Sequence, residues 1–154
     1  MHQTLSRMRE KRSNDEGFTL IELLVVVVII GVLVAIAVPV YLNYRKGAAD
    51  KSAQSDVRGS ISAIEQYYTD NGNTYPANAA TLVGATTSPI AIGGQKITLS
   101  DKTTFTYLLT TGGASYKVCA TNSGGSGKVY LYDSINGGSV TASAAATPSV
   151  TTCT

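Results

Sequence analysis

The sequence predicts an α+β fold in which one long N-terminal α-helix packs on an antiparallel sheet of three to four strands. Two observations carry this prediction. An uncharged apolar run passes into an amphipathic pattern of helical period, and short alternating runs separated by glycine-rich turns occupy the last third of the chain. A helix laid across such a sheet buries one face of each element, and the 154 residues suffice for one modest domain.

The apolar run extends from Leu23 to Leu42 without a charged residue. At about 1.5 Å per residue, a helix of this length spans roughly 30 Å, the thickness of a bilayer core. Basic residues precede the run, which predicts a cytoplasmic N-terminus and an exported body by the positive-inside rule. They are Arg7, Arg9, Lys11 and Arg12.

Three interpretations of this run are open. It is a single-pass anchor, or a secretory signal peptide cut after Ala35-Ile36-Ala37, or a helix that is retained after a cut at Gly17. The signal peptide is disfavoured by the three acidic residues of the head, by Glu22 within the apolar region, and by Pro39, which would crowd a cut after Ala37.

Glu22 favours the third interpretation. A charge within a membrane helix costs about 2.5–3.5 kcal/mol on insertion scales, and neither an anchor nor a signal peptide gains from it. A cut after Gly17 creates a new cation, the α-amino group of Phe18, which is largely protonated at neutral pH. If subunits associate through their apolar helices, Glu22 can neutralise the Phe18 amine of a neighbour. The pair then sets the axial register, because misplacement leaves a buried charge unpaired.

The stretch Gly17-Phe18-Thr19-Leu20-Ile21-Glu22 resembles the processing and methylation signature of type IV pilins and related pseudopilins. The resemblance continues through Gly31 and Pro39 to Tyr41, and it covers residues 16–76 strongly. Within it, YLNYRKGAADKSAQSDVR and EQYYTDNGNTYP are similar to pilins of Gram-positive, especially actinobacterial, type. The resemblance implies a pilin fold, cleavage between Gly17 and Phe18 by a prepilin peptidase, N-methylation of Phe18 and a helix kink at Pro39.

The resemblance also implies a function and partners. The chain is expected to be a structural subunit of a type IV pilus-like filament, a helical homo-oligomer built with an inner-membrane assembly platform and ATPase. Before assembly it is a single-pass cell-membrane protein, and after assembly it belongs to an extracellular pilus. The alternatives are a pseudopilin of a type II-like secretion or DNA-uptake system and, from another class, a membrane-anchored monomeric binding domain.

Beyond Pro39 the helical pattern narrows to one apolar face, and Asp70-Asn71-Gly72 supplies an end signal, which predicts one helix over about residues 18–71. The apolar stripe is Ala49, Ala53, Val57, Ile61, Ile64 and Tyr68. Charged residues are expected on the other faces: Arg45, Lys46, Asp50, Lys51, Asp56, Arg58 and Glu65. The predicted organisation is a cleaved leader (1–17), a transmembrane and filament-core half-helix (18–44), an amphipathic half-helix (45–72), and a connector with a sheet head (73–154).

In the head, TFTYLLTT, SYKVCAT and KVYLYDS predict three strands, and a fourth weak strand is expected near Ser139–Ala142. Residues 73–102 are expected to be a connector, with room for a short helix near Asn78 to Val83. Alternation gives each strand an apolar face that can pack on the helix stripe. The expected face is Phe105, Tyr107 and Leu109, then Tyr116, Val118 and Ala120, then Val129 and Leu131.

Two cysteines, Cys119 and Cys153, lie in the part of the chain expected outside the cell, where a disulfide bond is favoured over free thiols. The bond would tie down a C-terminal loop, and pilins commonly have such a loop. No metal site, cofactor or catalytic motif is predicted, because two cysteines do not make a zinc set and no base is placed beside a nucleophile. The near-neutral charge of +2 gives no reason to expect nucleic-acid binding.

Overall fold

The computed structural model describes residues 17–78 and 82–154. Within these described residues, one helix, α1 (Leu20–Asp70), is followed by six strands. The strands are β1 (Ile90–Ile92), β2 (Gln95–Ile97), β3 (Thr103–Leu109), β4 (Tyr116–Asn122), β5 (Tyr130–Asp133) and β6 (Thr141–Ala142). The predicted leader, except Gly17, and residues 79–81 of the predicted short helix near Asn78 to Val83 lie outside the described residues. The chain divides into two compact units, Met1–Tyr41 and Leu42–Thr154.

The first unit contains the start of α1 and its apolar run as far as Tyr41. The run is exposed along its whole described length, with Val27 and Leu33 at 60% and 61% of their maximal exposure. Among the described residues, α1 is the one helix that is long and apolar enough to cross a membrane. The helical backbone continues through Pro39. A bend at this proline stays a prediction.

In the second unit, α1 buries one face against the sheet. Ala53, Val57 and Ile64 are fully buried, as the apolar stripe predicts, and Ser60 lies among them. Ser60 satisfies its hydroxyl by donating to the carbonyl oxygen of Val57 at 2.7 Å. The helix therefore supplies one layer of the core.

Two carboxylates expected on the exposed faces of α1 are instead buried, so that expectation was wrong for Asp50 and Asp56. One serine closes over each of them. The backbone N–H of Ser126 donates to Asp50 at 2.9 Å and its hydroxyl bonds the second oxygen at 2.5 Å. Ser100 bonds Asp56 in the same way, with both distances 2.9 Å. These charge-assisted hydrogen bonds replace water, and they fasten two loops of the head to the helix.

Four antiparallel strands form the main sheet in the order β3-β4-β5-β6, which confirms the four predicted strands. Phe105 pairs with Ala120, and Val118 pairs with Tyr132. On β3 and β4 the expected faces are confirmed, since Phe105, Tyr107, Tyr116 and Val118 are fully buried in the core shared with α1. The structure thus has the α+β pilin fold, with a helix layer and a sheet layer around one core.

The predicted face of β5 was wrong. Tyr130 and Tyr132 belong to the core under α1, whereas Val129 and Leu131 lie in a second cluster on the opposite side of the sheet. Both alternating sets of this strand are apolar enough to be buried. Strand alternation therefore could not show which set faces the helix.

A second, two-stranded sheet was missed. Residues 90–97 form a hairpin in which Ile90 pairs with Ile97 and Ile92 pairs with Gln95. Its turn is Gly93-Gly94, and both glycines have positive φ. The sequence IAIGGQKI carries the glycine-rich two-residue turn signal of a hairpin, within a segment assigned to the connector. At Gly93 a Cβ atom would lie 1.9 Å from a ring carbon of Tyr67, so the hairpin also approaches α1 too closely for a side chain.

The far side of the main sheet is covered by the C-terminal segment. The predicted disulfide bond joins Cys119 to Cys153 with their Cα atoms 5.5 Å apart. Both cysteines are buried with Val129, and Leu108, Leu131 and Val150 pack around them. The bond therefore anchors a tail that buries few apolar side chains of its own.

Candidate processing and assembly site

The site predicted from the sequence lies at the beginning of α1, where Thr19 and Glu22 form a reciprocal cap. The backbone N–H and the hydroxyl of Thr19 both donate to Oε2 of Glu22, at 2.8 and 2.7 Å. In return, the hydroxyl oxygen of Thr19 accepts from the backbone N–H of Glu22 at 3.3 Å. Two backbone N–H groups that a helix start leaves unpaired are thereby satisfied by side chains.

This arrangement explains part of the presence of Glu22 without any partner subunit. A carboxylate in the first turn is favoured by the positive end of the helix dipole, and the cap gives it hydrogen-bond donors at the beginning of an apolar run. The sequence signal was available, because Thr19-Leu20-Ile21-Glu22 is a Thr-x-x-Glu capping box ahead of an apolar run. Sequence reasoning considered only the pairing between subunits.

The residues of the predicted cut lie just outside the helix. Gly17, Phe18 and Thr19 are non-helical and exposed, and Phe18 shows 79% of its surface. A Cβ atom at Gly17 would meet no heavy atom within 4 Å. The bond between Gly17 and Phe18 is therefore in an accessible, irregular segment, as a peptidase requires of its substrate.

The structure brings Phe18 and Glu22 to the same helix start, and it pairs the carboxylate with Thr19. In the uncut chain the nitrogen of Phe18 is an amide, so the positive charge expected at this atom depends on cleavage. The other predicted site residues lie elsewhere: Pro39 is inside α1, and the two cysteines are in the head.

The remainder of the site is an apolar surface that is exposed in the part of the chain that the structure describes. From Phe18 to Leu42 every large apolar side chain is exposed. An apolar surface of this extent on a single chain marks contact with lipid or with other protein. The members are Phe18, Leu20, Ile21, Leu23, Leu24, Val25, Val26, Val27, Val28, Ile29, Ile30, Val32, Leu33, Val34, Ile36, Val38, Val40, Tyr41 and Leu42.

Comparisons with known proteins converge on this segment. Residues 12–38 match the family described as the prokaryotic N-terminal methylation motif. This range contains Gly17, Phe18 and Glu22 and most of the apolar run.

Individual relatives match over about half of their length. The fimbrial protein EcpC of Eikenella corrodens is 44% identical over 73 residues, which are 47% of each chain. The type IV wide pilus major component PilA4 of Thermus thermophilus is 41% identical over 70 residues, 46% of this chain and 53% of the relative. The type II secretion system core protein G of Pectobacterium carotovorum is 40% identical over 75 residues, 49% of this chain and 47% of the relative.

The chain thus spans about half the length of the curated relatives it matches. No solved structure matches the chain. The similarity is to proteins of pili and to a core protein of a secretion system, and the family model matches residues 12–38, which contain the helix start. The chain therefore carries a prokaryotic N-terminal methylation motif on an α+β pilin fold.

Proposed function

We propose that this chain is a structural subunit of a type IV pilus-like filament. A prepilin peptidase cuts between Gly17 and Phe18, the new Phe18 amine is methylated, and subunits polymerise through the apolar half of α1. The observation that carries this proposal is the coincidence, within residues 12–38, of the methylation motif with an exposed apolar helix that begins at a capped carboxylate. The role is structural rather than catalytic.

The proposed route begins in the cell membrane. The apolar run crosses the bilayer once, with the basic residues before it in the cytoplasm and the head outside. Transfer to the filament exchanges lipid contacts for helix contacts, and an inner-membrane assembly platform with its ATPase supplies the work of extraction. The finer assignment to Gram-positive, actinobacterial pilins belongs to this proposal, and it rests on the segment after Tyr41.

A second candidate is a pseudopilin of a type II-like secretion or DNA-uptake system. The similarity to core protein G of a type II secretion system favours it, at nearly the same identity as the pilus proteins. Both candidates use the same processing and the same helix interface. The length and abundance of the filaments containing this chain would separate them.

Two substitutions of Glu22 test whether assembly needs its charge. Glu22→Ala removes both the cap and the charge. Glu22→Gln keeps the cap, because glutamine also serves in a capping box, but it removes the charge. If charge pairing with a neighbouring Phe18 amine drives addition in register, both variants insert into the membrane and neither forms filaments when viewed by electron microscopy.

The matched control is Glu65→Gln, which removes one negative charge from the head half of the same helix and is expected to leave filaments intact. Normal filaments from Glu22→Gln but not from Glu22→Ala would show that the cap, and not the charge, is required. Normal filaments from both variants would defeat the assembly role of Glu22.

A further inference from the structure

A cleft of about 420 Å³ lies in the second unit, between α1 and the loops before β3 and after β4. Three basic residues, Arg45, Lys46 and Lys102, line it together with one acidic residue, Asp101. The other lining residues are Leu42, Ala49, Ser52, Ser100, Asn122 and Gly124. The charge of this cleft favours an anion.

Hydrogen bonds fix the wall of the cleft that carries Lys102. The side-chain nitrogen of Asn122, a buried residue, donates to the carbonyl oxygen of Asp101 at 2.8 Å and to the hydroxyl of Thr103 at 3.1 Å. The backbone N–H of Ser123 donates to the carbonyl oxygen of Lys102 at 3.1 Å. The loop that carries Lys102 is therefore held in place from the neighbouring strand.

Lys102 also has an unusual backbone conformation, with φ of 62°. Glycine and asparagine adopt this left-handed conformation readily, whereas a residue with a long side chain adopts it at a cost. Here the residue that has this unfavourable backbone conformation is a lysine that lines the basic cleft. A residue held in such a conformation is a reason to look for a function at that position.

The cleft begins where the apolar run ends. Leu42 is the last residue of the run and lines the cleft, and Arg45 and Lys46 follow it by three and four residues. At about 1.5 Å per residue they lie roughly 5–6 Å farther along the helix, which is the depth of lipid headgroups when the run fills the bilayer core. Basic residues beside the exported end of a membrane helix oppose the usual bias, so they call for a specific reason.

We propose that this cleft binds the phosphate of an anionic phospholipid headgroup in the outer leaflet while the subunit waits in the membrane. Guanidinium and ammonium groups are the side chains that bind phosphodiester oxygens by charge-assisted hydrogen bonds. This inference rests on the proposed function only in that α1 crosses a membrane. Entry into a filament then requires release of the lipid.

The test uses the full chain in mixed micelles of phosphatidylglycerol and phosphatidylcholine with identical acyl chains, in equal amounts. Native mass spectrometry measures the ratio of the two lipids bound. Each cation near a headgroup contributes a preference of about fivefold, so the wild-type ratio should favour phosphatidylglycerol by at least about fivefold.

The double variant Lys46→Gln/Lys102→Asn should lower this ratio by at least about fivefold. Asparagine removes the charge and still accepts the left-handed conformation, so the loop keeps its fold. Lys96→Gln, which removes an exposed lysine of β2 outside the cleft, should leave the ratio unchanged. Equal binding of the two lipids by the wild type, or an unchanged preference in the double variant, would overturn the proposal.

Two further measurements test whether the cleft binds something other than a lipid. If millimolar inorganic phosphate abolishes the preference, the cleft binds free phosphate and the lipid assignment is wrong. If lysine-directed labelling finds Lys46 and Lys102 protected in filaments but not in anionic micelles, the occupant is a neighbouring subunit and the lipid assignment is again wrong. Because the lipid measurement uses unassembled chains, a chain that binds phosphatidylglycerol here but never assembles would defeat the filament proposal alone.

Discussion

At the scale of single residues, Glu22 has a partner before any filament exists. Its carboxylate accepts two hydrogen bonds from Thr19, so the charge is compensated at its own helix start. On assembly, the Phe18 amine of a neighbour would compete with this cap rather than with an empty site. The cap could be predicted from the Thr-x-x-Glu spacing. Pairing of Glu22 with the Phe18 amine of a neighbour involves two chains, so it does not follow from the fold of one chain.

Replacing Thr19 tests the cap separately from the charge. Thr19→Ala removes the hydroxyl and should cost about 1 kcal/mol at the helix start, equivalent to about a fivefold faster amide exchange in the first turn. Thr19→Ser keeps the hydroxyl and should behave like the wild type. Hydrogen exchange of the detergent-solubilised chain measures both, and unchanged protection in Thr19→Ala would contradict the cap.

Tyr107 should make the head less stable as the pH rises into the alkaline range. Its buried hydroxyl donates to the carbonyl oxygen of Pro76 at 2.7 Å, and burial, with smaller effects from Tyr75 and Tyr67, raises the pKa of Tyr107 far above its ordinary value. In the unfolded chain the phenol ionises near pH 10, while the folded chain keeps the proton. The unfolded state thus binds fewer protons above about pH 10, so stability falls as pH rises and is unaffected below that value.

Urea unfolding of the detergent-solubilised chain between about pH 8 and pH 12 measures this loss. Tyr107→Phe should reduce the slope of the free energy of unfolding against pH, whatever it does to the absolute value. An equal slope in Tyr107→Phe and the wild type would remove Tyr107 as the cause.

At the scale of elements, the sequence predicted the buried face correctly where the pattern of apolar residues allowed only one such face. The stripe from Ala53 to Ile64 and the alternation on β3 and β4 each allow a single buried face, and both expectations are confirmed. On β5 two apolar sets compete, and the choice depends on the tail that Cys153 brings to the far side of the sheet. Asp50 and Asp56 are buried because Ser126 and Ser100 are positioned to bond them, which helix periodicity does not show.

Reduction of the disulfide bond should therefore weaken the side of the sheet away from α1. The bond joins residues 34 positions apart, and loops of this size are stabilised by roughly 3–4 kcal/mol in the chain-entropy model. We expect the urea midpoint to fall on addition of a reductant. The double variant Cys119→Ala/Cys153→Ala should have the lower midpoint with or without reductant, and a reductant-insensitive wild-type midpoint would contradict the role of the bond.

At the scale of the whole molecule, the helix and the main sheet follow from the sequence because their side chains meet within one chain. The apolar surface of α1 does not, since among the described residues its side chains are exposed. We propose that lipid and then other copies of the subunit cover this surface, and that cleavage at Gly17 prepares it for assembly.

The mass of the N-terminal peptide of the mature protein tests this claim most directly. This peptide should begin at Phe18 and carry one added methyl group on its amine. A Gly17→Lys variant, which places a large side chain at the cut, should accumulate the uncut chain. A mature protein that retains residues 1–17, or one that begins at Val38, would contradict the account.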